Sequence, residues 1–206
     1  MHYIDRKQFK PDFLYYVWLF FLLSVFGWLW ECFLYLFKDD TYVNRGFLTG
    51  PWLPIYGMGG IMLEILFHRW RDRPIMIFVS SMVLCSVLEY AAGWYLELTW
   101  RVKWWDYSGM PLNLHGRICF LSSLLFGLGG MLLVWVVSPL FYSLYGHIPR
   151  SVRIAAGLAA IGLFAADASY SAMHPHAGVG ITYMVQENTV WEKVREGPSV
   201  RQIRRG

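Results

Sequence analysis

Charged residues are scarce in this sequence: they make up 16% of its 206 residues, against about 25% in soluble domains. Together with a mean hydropathy of +0.38, this scarcity excludes an ordinary water-soluble domain. Cysteine is scarce as well. Cys32, Cys85 and Cys119 lie far apart, which excludes a disulfide framework and a zinc-finger spacing, and we expect them to be small packing residues.

Several functional motifs are also missing. No Walker A pattern occurs, which excludes a P-loop nucleotide hydrolase. The histidines have no companions at metal-ligand spacing, so we expect no metal and no cofactor. The first apolar run is about 25 residues long and no small-residue cleavage site follows it, so we expect it to remain in the protein as a membrane span.

Apolar residues are abundant, at 56% of the sequence, and they form runs close to the roughly 20 residues that a transmembrane helix needs. These runs predict an all-α membrane protein, a bundle of about five transmembrane helices in one domain at residues 1–174. A polar, partly disordered tail is expected at 175–206. The predicted spans are 13–37, 52–68, 75–98, 118–142 and 154–173.

The second and fifth spans have unusual compositions. The second is short and has Pro54 and three glycines in its first half, so we expect either a kinked helix or a re-entrant segment. The fifth consists largely of alanine and glycine. Because small residues let helices approach closely in lipid, we expect this helix to be buried against its neighbours.

Lysine and arginine near the span ends predict the orientation. A cytoplasmic N-terminus puts the basic turn 69–73 inside, and the loops 38–52 and 99–117 outside. The count of basic residues then favours the inside by eight to five, as the positive-inside rule requires. We therefore expect the N-terminus to be cytoplasmic.

Two glutamates lie inside predicted spans, where a charge costs about 2.5 to 3.5 kcal/mol and is usually kept for a partner or a pathway. Glu31 is about six residues from the end of the first span, and Glu89 is near the middle of the third. Both spans end on the side that also receives Arg45 and Arg117. We expect these four residues to form a cluster, which is either a polar substrate site or a structural ion-pair network.

Other polar residues in the spans suit structural roles. Glu64 is one turn or so from Arg69, and we expect its side chain to reach the membrane interface. Asp167, Ser171 and His174 share one helix face, which supplies neither a nucleophile elbow nor an oxyanion hole. We therefore favour a buried polar stripe over a catalytic triad.

The segment 100–109 interleaves basic and aromatic residues, a texture that binds nucleic acid in soluble proteins. Between two membrane spans it is typical of an interfacial aromatic belt. We expect no nucleic-acid partner.

Four strings of the sequence resemble motifs of one bacterial membrane family, the ABC-transporter permeases of the CmpB type. They are FGWLWE (26–31), NRGFLTGPWLPIYG (44–57), LEYAAGWYLE (88–97) and WWDYSGMPLNLHGRICF (104–120), and together they cover roughly residues 15–140. The resemblance implies a permease-like subunit of the bacterial cytoplasmic membrane that works with a separate ATPase subunit. Among the charged and amide residues within these motifs we single out Glu31, Asn44, Arg45, Glu89, Asp106, Asn113 and Arg117.

We therefore expect the membrane domain of a transporter, not an enzyme, with these seven residues at its polar site. It would contact membrane lipid and form a homo- or hetero-oligomer, because five helices enclose little space alone. Two alternatives remain. One is a membrane scaffold or assembly factor whose ion pairs only fix helix packing. The other is a lipid-modifying enzyme, whose best acid–base candidate would be Asp106 beside Arg117.

Overall fold

The computed structural model describes residues 11–39, 42–67, 70–178 and 181–184. Within them the chain is an all-α bundle with one two-residue strand pair, β1 (Val102–Lys103) with β2 (Tyr183–Met184). The five helices are α1 (Phe13–Asp39), α2 (Pro54–Phe67), α3 (Pro74–Trp100), α4 (Phe120–His147) and α5 (Arg150–Met173).

Four of these helices, α1, α3, α4 and α5, are long and apolar enough to cross a membrane. The fourteen residues of α2 extend over about 21 Å, which is less than the roughly 30 Å of a hydrocarbon core. As expected for a short second span, α2 alone is therefore too short to cross a membrane, and the residues before it complete the passage between the two ends of the bundle. The predicted span began at Trp52, but α2 begins only at Pro54 because the residues before it form an irregular loop.

α4 continues five residues beyond the predicted end of its span. Its middle is a π-helical segment, Leu133–Val137, in which the Ser138 N–H donates to the Leu133 carbonyl. Pro139 follows directly and has no N–H to donate. The wider π turn accommodates this proline, so the helix continues to His147.

α2 occupies the centre of the bundle. Its Leu63 and Phe67 pack with Ile77 of α3 and with Leu133 and Val134 of α4 in the largest buried apolar cluster. A second cluster joins the start of α1 to the end of α4; its buried members are Tyr15, Leu19 and Tyr145.

α5 does not confirm the prediction of a buried helix. Only Gly157 and Ser171 are fully buried on it, and a side chain at Gly157 would meet Leu14 and Trp18 of α1. Most of its other small residues, such as Ala155 and Gly162, are exposed. The prediction was wrong for the single chain because the small residues encircle the helix, whereas α1 covers only one side of it.

Three segments meet at one end of the bundle, which we call the loop end: loop 1 (42–53), loop 2 (101–119) and the C-terminal segment (174–178 and 181–184). The His176 N–H donates to the Phe47 carbonyl at 3.1 Å, and the Trp104 indole donates to the His176 carbonyl at 3.0 Å. The first residues of the predicted tail are therefore packed against both loops. Residues 185–206 of that tail lie outside the described residues.

Candidate functional site

Loop 1 descends far into the bundle. The Leu53 N–H donates to the Ser24 carbonyl of α1 at 2.9 Å, and Ser24 lies about 22 Å below the end of α1 at Asp39. α1 has 27 residues and is about 40 Å long, some 10 Å longer than the hydrocarbon core. Even if all of this extra length extended beyond the hydrocarbon core at the loop end, Leu53 would still lie about 12 Å inside the core. Loop 1 therefore enters the membrane core as irregular backbone, and α2 carries the chain on from there to the opposite end of the bundle.

Polar side chains satisfy the backbone of loop 1 at this depth. The Gly50 N–H donates to Asp167 Oδ2 at 3.0 Å, and the Thr49 N–H donates to Ser171 Oγ at 3.2 Å. Asn44 donates to the Thr49 carbonyl at 2.9 Å. Because lipid offers no hydrogen bonds to an irregular backbone, Asn44, Asp167 and Ser171 have a structural function here.

Loop 2 also reaches below the end of its helix. His115 Nδ1 lies 2.9 Å from the Tyr90 hydroxyl, and Tyr90 is about 15 Å below the end of α3 at Trp100. α3 also has 27 residues, so the same arithmetic puts Tyr90 at least about 5 Å inside the core. Loop 2 therefore folds back beside the C-terminal part of α3: at Gly93, about 10 Å below Trp100, an added side chain would lie 3.6 Å from Arg117 Cβ.

Asp106 and Asn113 organise loop 2 internally. Asp106 Oδ1 accepts from the Ser108 N–H at 3.1 Å and from its hydroxyl at 2.6 Å, and it pairs with Lys103 at 3.4 Å. Asn113 Oδ1 accepts from the Gly116 N–H at 3.1 Å. Burial acts to raise the pKa of Asp106, but the Ser108 hydrogen bonds and the Lys103 charge outweigh it and lower the pKa.

Arg45 joins the three segments of the loop end. It is 3% exposed and donates to the Trp104 carbonyl of loop 2 at 2.7 Å and to the Ile181 carbonyl of the C-terminal segment at 3.0 Å. Its Nε is 3.5 Å from Glu31 Oε2 on α1. The structure therefore places Arg45 against Glu31, with Nη1 and Nη2 donating to backbone oxygens.

Arg117 does not join Arg45. It binds Glu97 with two nitrogens, at 3.2 and 2.5 Å, and donates to the Tyr90 hydroxyl at 3.1 Å. Burial acts to lower the pKa of Arg117, but the Glu97 carboxylate outweighs it and raises the pKa. The expected single cluster of four residues is corrected to two separate ion pairs, because Arg117 meets the glutamate near the end of α3 before it could reach the deeper Glu89.

A short motif explains both ion pairs. The pattern Gly-Trp-x-x-Glu occurs at 27–31 in α1 and again at 93–97 in α3. In each case the glutamate pairs with the arginine of the loop that follows, Arg45 or Arg117. Each arginine also lies over a tyrosine ring, at 4.0 and 5.1 Å from its centre. The repeat was visible in the sequence and could have identified Glu97 as the partner of Arg117.

The glycine of each motif makes room for an aromatic ring. A side chain at Gly27 would clash with the ring of Tyr56 at the start of α2, and one at Gly93 would lie 3.2 Å from the Trp105 ring of loop 2. The hairpins α1–loop 1–α2 and α3–loop 2–α4 therefore share three local features: a tight glycine, a glutamate–arginine pair and an arginine–tyrosine contact.

Between the hairpins lies an acid–tyrosine group, consisting of Glu31, Tyr56, Glu89 and Tyr107. Tyr56 donates to Glu31 Oε1 at 3.2 Å, and Tyr107 donates to Glu89 Oε1 at 3.0 Å. Glu31 and Glu89 are close enough for their charges to interact. Burial, followed by the neighbouring Glu89 carboxyl, raises the pKa of Tyr107.

A second buried pair lies at the opposite end of the bundle and was missed by the sequence reasoning. Glu64 is fully buried, and Arg71 donates to it at 3.2 Å and to Ser138 Oγ at 3.3 Å. The expectation that Glu64 reaches the interface was wrong, because Arg71 of the turn folds back over it. Arg69 lies outside the described residues.

Within the described part of the chain, no three histidine, cysteine or acidic side chains come together in a way that could hold a metal ion.

Four long apolar helices, with the short apolar helix α2 packed among them, define a multi-pass membrane protein. Residues 18–172 match the model of the family described as "Putative ABC-transporter type IV", of the CmpB type. The match covers well over half of the chain, which therefore belongs to this family, and it supports a transporter-related role in a membrane. No curated protein and no solved structure matches the chain significantly.

Proposed function

We propose that this protein is the permease-like membrane subunit of a transporter, with the acid–tyrosine group on its polar pathway. It works with a separate ATPase subunit in the bacterial inner membrane, and its N-terminus is cytoplasmic. It carries no catalytic residues of its own.

The irregular backbone of loop 1 inside the bundle is the observation that supports this proposal most. Irregular backbone at membrane depth is tolerated only where protein buries it or where it lines a polar cavity. In transporters such segments lie near the bilayer midplane, where two structural repeats meet. Here the two loops belong to two similar hairpins and contact each other through Arg45 and Trp104.

The geometry divides the seven expected site residues into two kinds. Arg45 and Arg117 hold the loops through ion pairs, and Asn44, Asp106 and Asn113 satisfy loop backbone. Only Glu31 and Glu89 belong to the acid–tyrosine group, and we assign them to the pathway.

Co-purification tests the ATPase partnership. Under the proposed orientation an ATPase docks at the end opposite the loops, where Arg73 and Arg150 are exposed. Purification from the native membrane in mild detergent should recover a P-loop ATPase. Arg73→Glu should reduce its yield, whereas Arg101→Glu, a matched reversal of an exposed arginine at the loop end, should not.

A membrane scaffold is the second candidate, and the way both arginines fix loops favours it. In a scaffold the acid–tyrosine group only packs, so Glu89→Met would leave function intact and only other membrane proteins would co-purify. We rank the lipid-modifying enzyme third, because its two candidate residues have separate partners: Asp106 bonds to Ser108 and Lys103, and Arg117 bonds to Glu97.

A further inference from the structure

Glu89 differs from the other membrane glutamates in its partners. Each of the other three glutamates in the described helices has an arginine partner, in the pairs Glu31–Arg45, Glu64–Arg71 and Glu97–Arg117. Glu89 is only 8% exposed, yet among the described residues it binds no cation. Its two oxygens accept from the Tyr107 hydroxyl at 3.0 Å and from Ser122 Oγ at 3.4 Å.

The chemistry of these partners matters. An arginine can only donate hydrogen bonds, so it favours an ionised carboxylate. A hydroxyl group can donate or accept. Tyr107 and Ser122 can therefore satisfy Glu89 as a carboxylate, by donating to it, and as a neutral acid, by accepting its proton.

The surroundings of Glu89 contain groups from every packed element. Glu31 of α1 faces it as a second acid, and its charge opposes ionisation of Glu89. The positive charge of Arg45 is bound to that same Glu31. Among the described residues, Tyr56 of α2, Cys85 on α3 itself and Tyr107 of loop 2 also interact with Glu89, and Cys119 at the start of α4 interacts with Tyr107.

We infer that Glu89 is a protonation site, which takes up a proton from water and returns it to water through the hydroxyl of Tyr107 on the loop-end side. The proton adds to a carboxylate oxygen, and the acid then donates to Tyr107 or Ser122, which changes from donor to acceptor. No cavity is required, since the ligand is a proton carried between groups already in hydrogen-bond contact. The inference goes beyond the proposed function, because it holds whether or not the protein transports a solute.

Infrared difference spectroscopy of the purified full-length protein in lipid nanodiscs tests this site, since it resolves the carbonyl stretch of a protonated carboxyl. Wild type should show a band that disappears as pH rises. The band should be absent from Glu89→Gln and retained in Glu97→Gln, the matched change two turns further along α3.

Tyr107→Phe provides a second test that does not depend on the folding of Glu89→Gln. It removes a donor to the charged form, so the titration midpoint of the band should rise by about one pH unit. A band that persists in Glu89→Gln, a midpoint unmoved by Tyr107→Phe, or no titrating band at all would each overturn the inference. None of these readouts requires an ATPase or a transported solute. Failure of the inference about Glu89 can therefore be told apart from failure of the proposed function.

Discussion

Arg45 Nη2 donates to the carbonyl oxygen of Trp104 at 2.7 Å, across 59 positions of sequence. Through this bond one guanidinium fixes loop 1 against loop 2, while its other donors reach Ile181 and Glu31. A planar group with five donors in a fixed fork suits such a junction.

Removal of this junction should cost much of the stability of the loop end. Arg45→Met leaves buried backbone acceptors unpaired and Glu31 without its cation, and we expect a loss of about 3 to 5 kcal/mol in the free energy of unfolding. Arg45→Lys should recover only part of it, because one ammonium cannot bridge the same acceptors. Unfolding in detergent measures both variants; full recovery by lysine would show that charge alone matters.

Arg117 should couple to Glu97 and not to Glu89. In double-mutant cycles with Arg117→Met, Glu97→Gln should show a coupling energy of about 1 to 3 kcal/mol, since the two share a bidentate pair. Glu89→Gln should be nearly additive with Arg117→Met. Strong coupling to Glu89 would restore the single cluster that the sequence predicted and contradict the structure.

Loop 1 and loop 2 should be accessible from the same side of the membrane. In a background without the native cysteines, Tyr42→Cys and Gly109→Cys, both at exposed positions, should react with an impermeant reagent added outside intact cells. Arg73→Cys, in the turn at the opposite end, should react only after the membrane is opened. If Arg73→Cys were labelled in intact cells, the orientation would be the reverse of the proposed one. If the two loops were labelled from opposite sides of the membrane, the fold would be contradicted.

The three glycines with different surroundings form a graded series. Gly27→Ala forces a methyl group into the Tyr56 ring and should cost about 1 to 3 kcal/mol. Gly93→Ala meets its nearest atom at 3.2 Å and should cost less. Gly129→Ala, a helix position with nothing within 4 Å, serves as the control and should be neutral or stabilising. Thermal unfolding in one detergent gives the order, and equal effects at all three positions would refute the close packing.

Because of Asp106, the free energy of unfolding should depend on pH in the acidic range. Its pKa is lowered in the folded protein, so its contribution is present above the unfolded value of about 3.9 and is lost as pH falls through the lower folded value. The stability gap between wild type and Asp106→Asn should therefore be constant above about pH 5 and close below about pH 4. Chemical unfolding across this range measures it; a gap independent of pH would mean that the charge of Asp106 contributes nothing.

Hydrophobic runs were sufficient to predict the helices, because a span of lipid thickness imposes its length on the sequence. α1, α3 and α5 begin and end within four residues of their predicted bounds. The length of α4 was harder to predict, since Pro139 usually ends a helix and only the three-dimensional structure shows the π turn that accommodates it.

The site was less predictable than the helices. Helical spacing indicated that Glu31 and Glu89 point inward, but it could not show which arginine each would meet, because that depends on the paths of loop 1 and loop 2. Glu64 was misjudged for the same reason: Arg71 reaches it through a turn whose course the sequence did not specify. The repeated Gly-Trp-x-x-Glu pattern was the one signal that could have paired Arg117 correctly.

The partners of Arg45 also bear on the order in which the protein is made. Glu31 precedes it in the chain, but the Trp104 and Ile181 carbonyls follow by 59 and 136 positions. While the ribosome is still producing α2, neither of these two carbonyls has yet been made. Loop 1 therefore reaches its final form only after the last helix has entered the membrane, and closure of the loop end is among the latest events in the biogenesis of the protein.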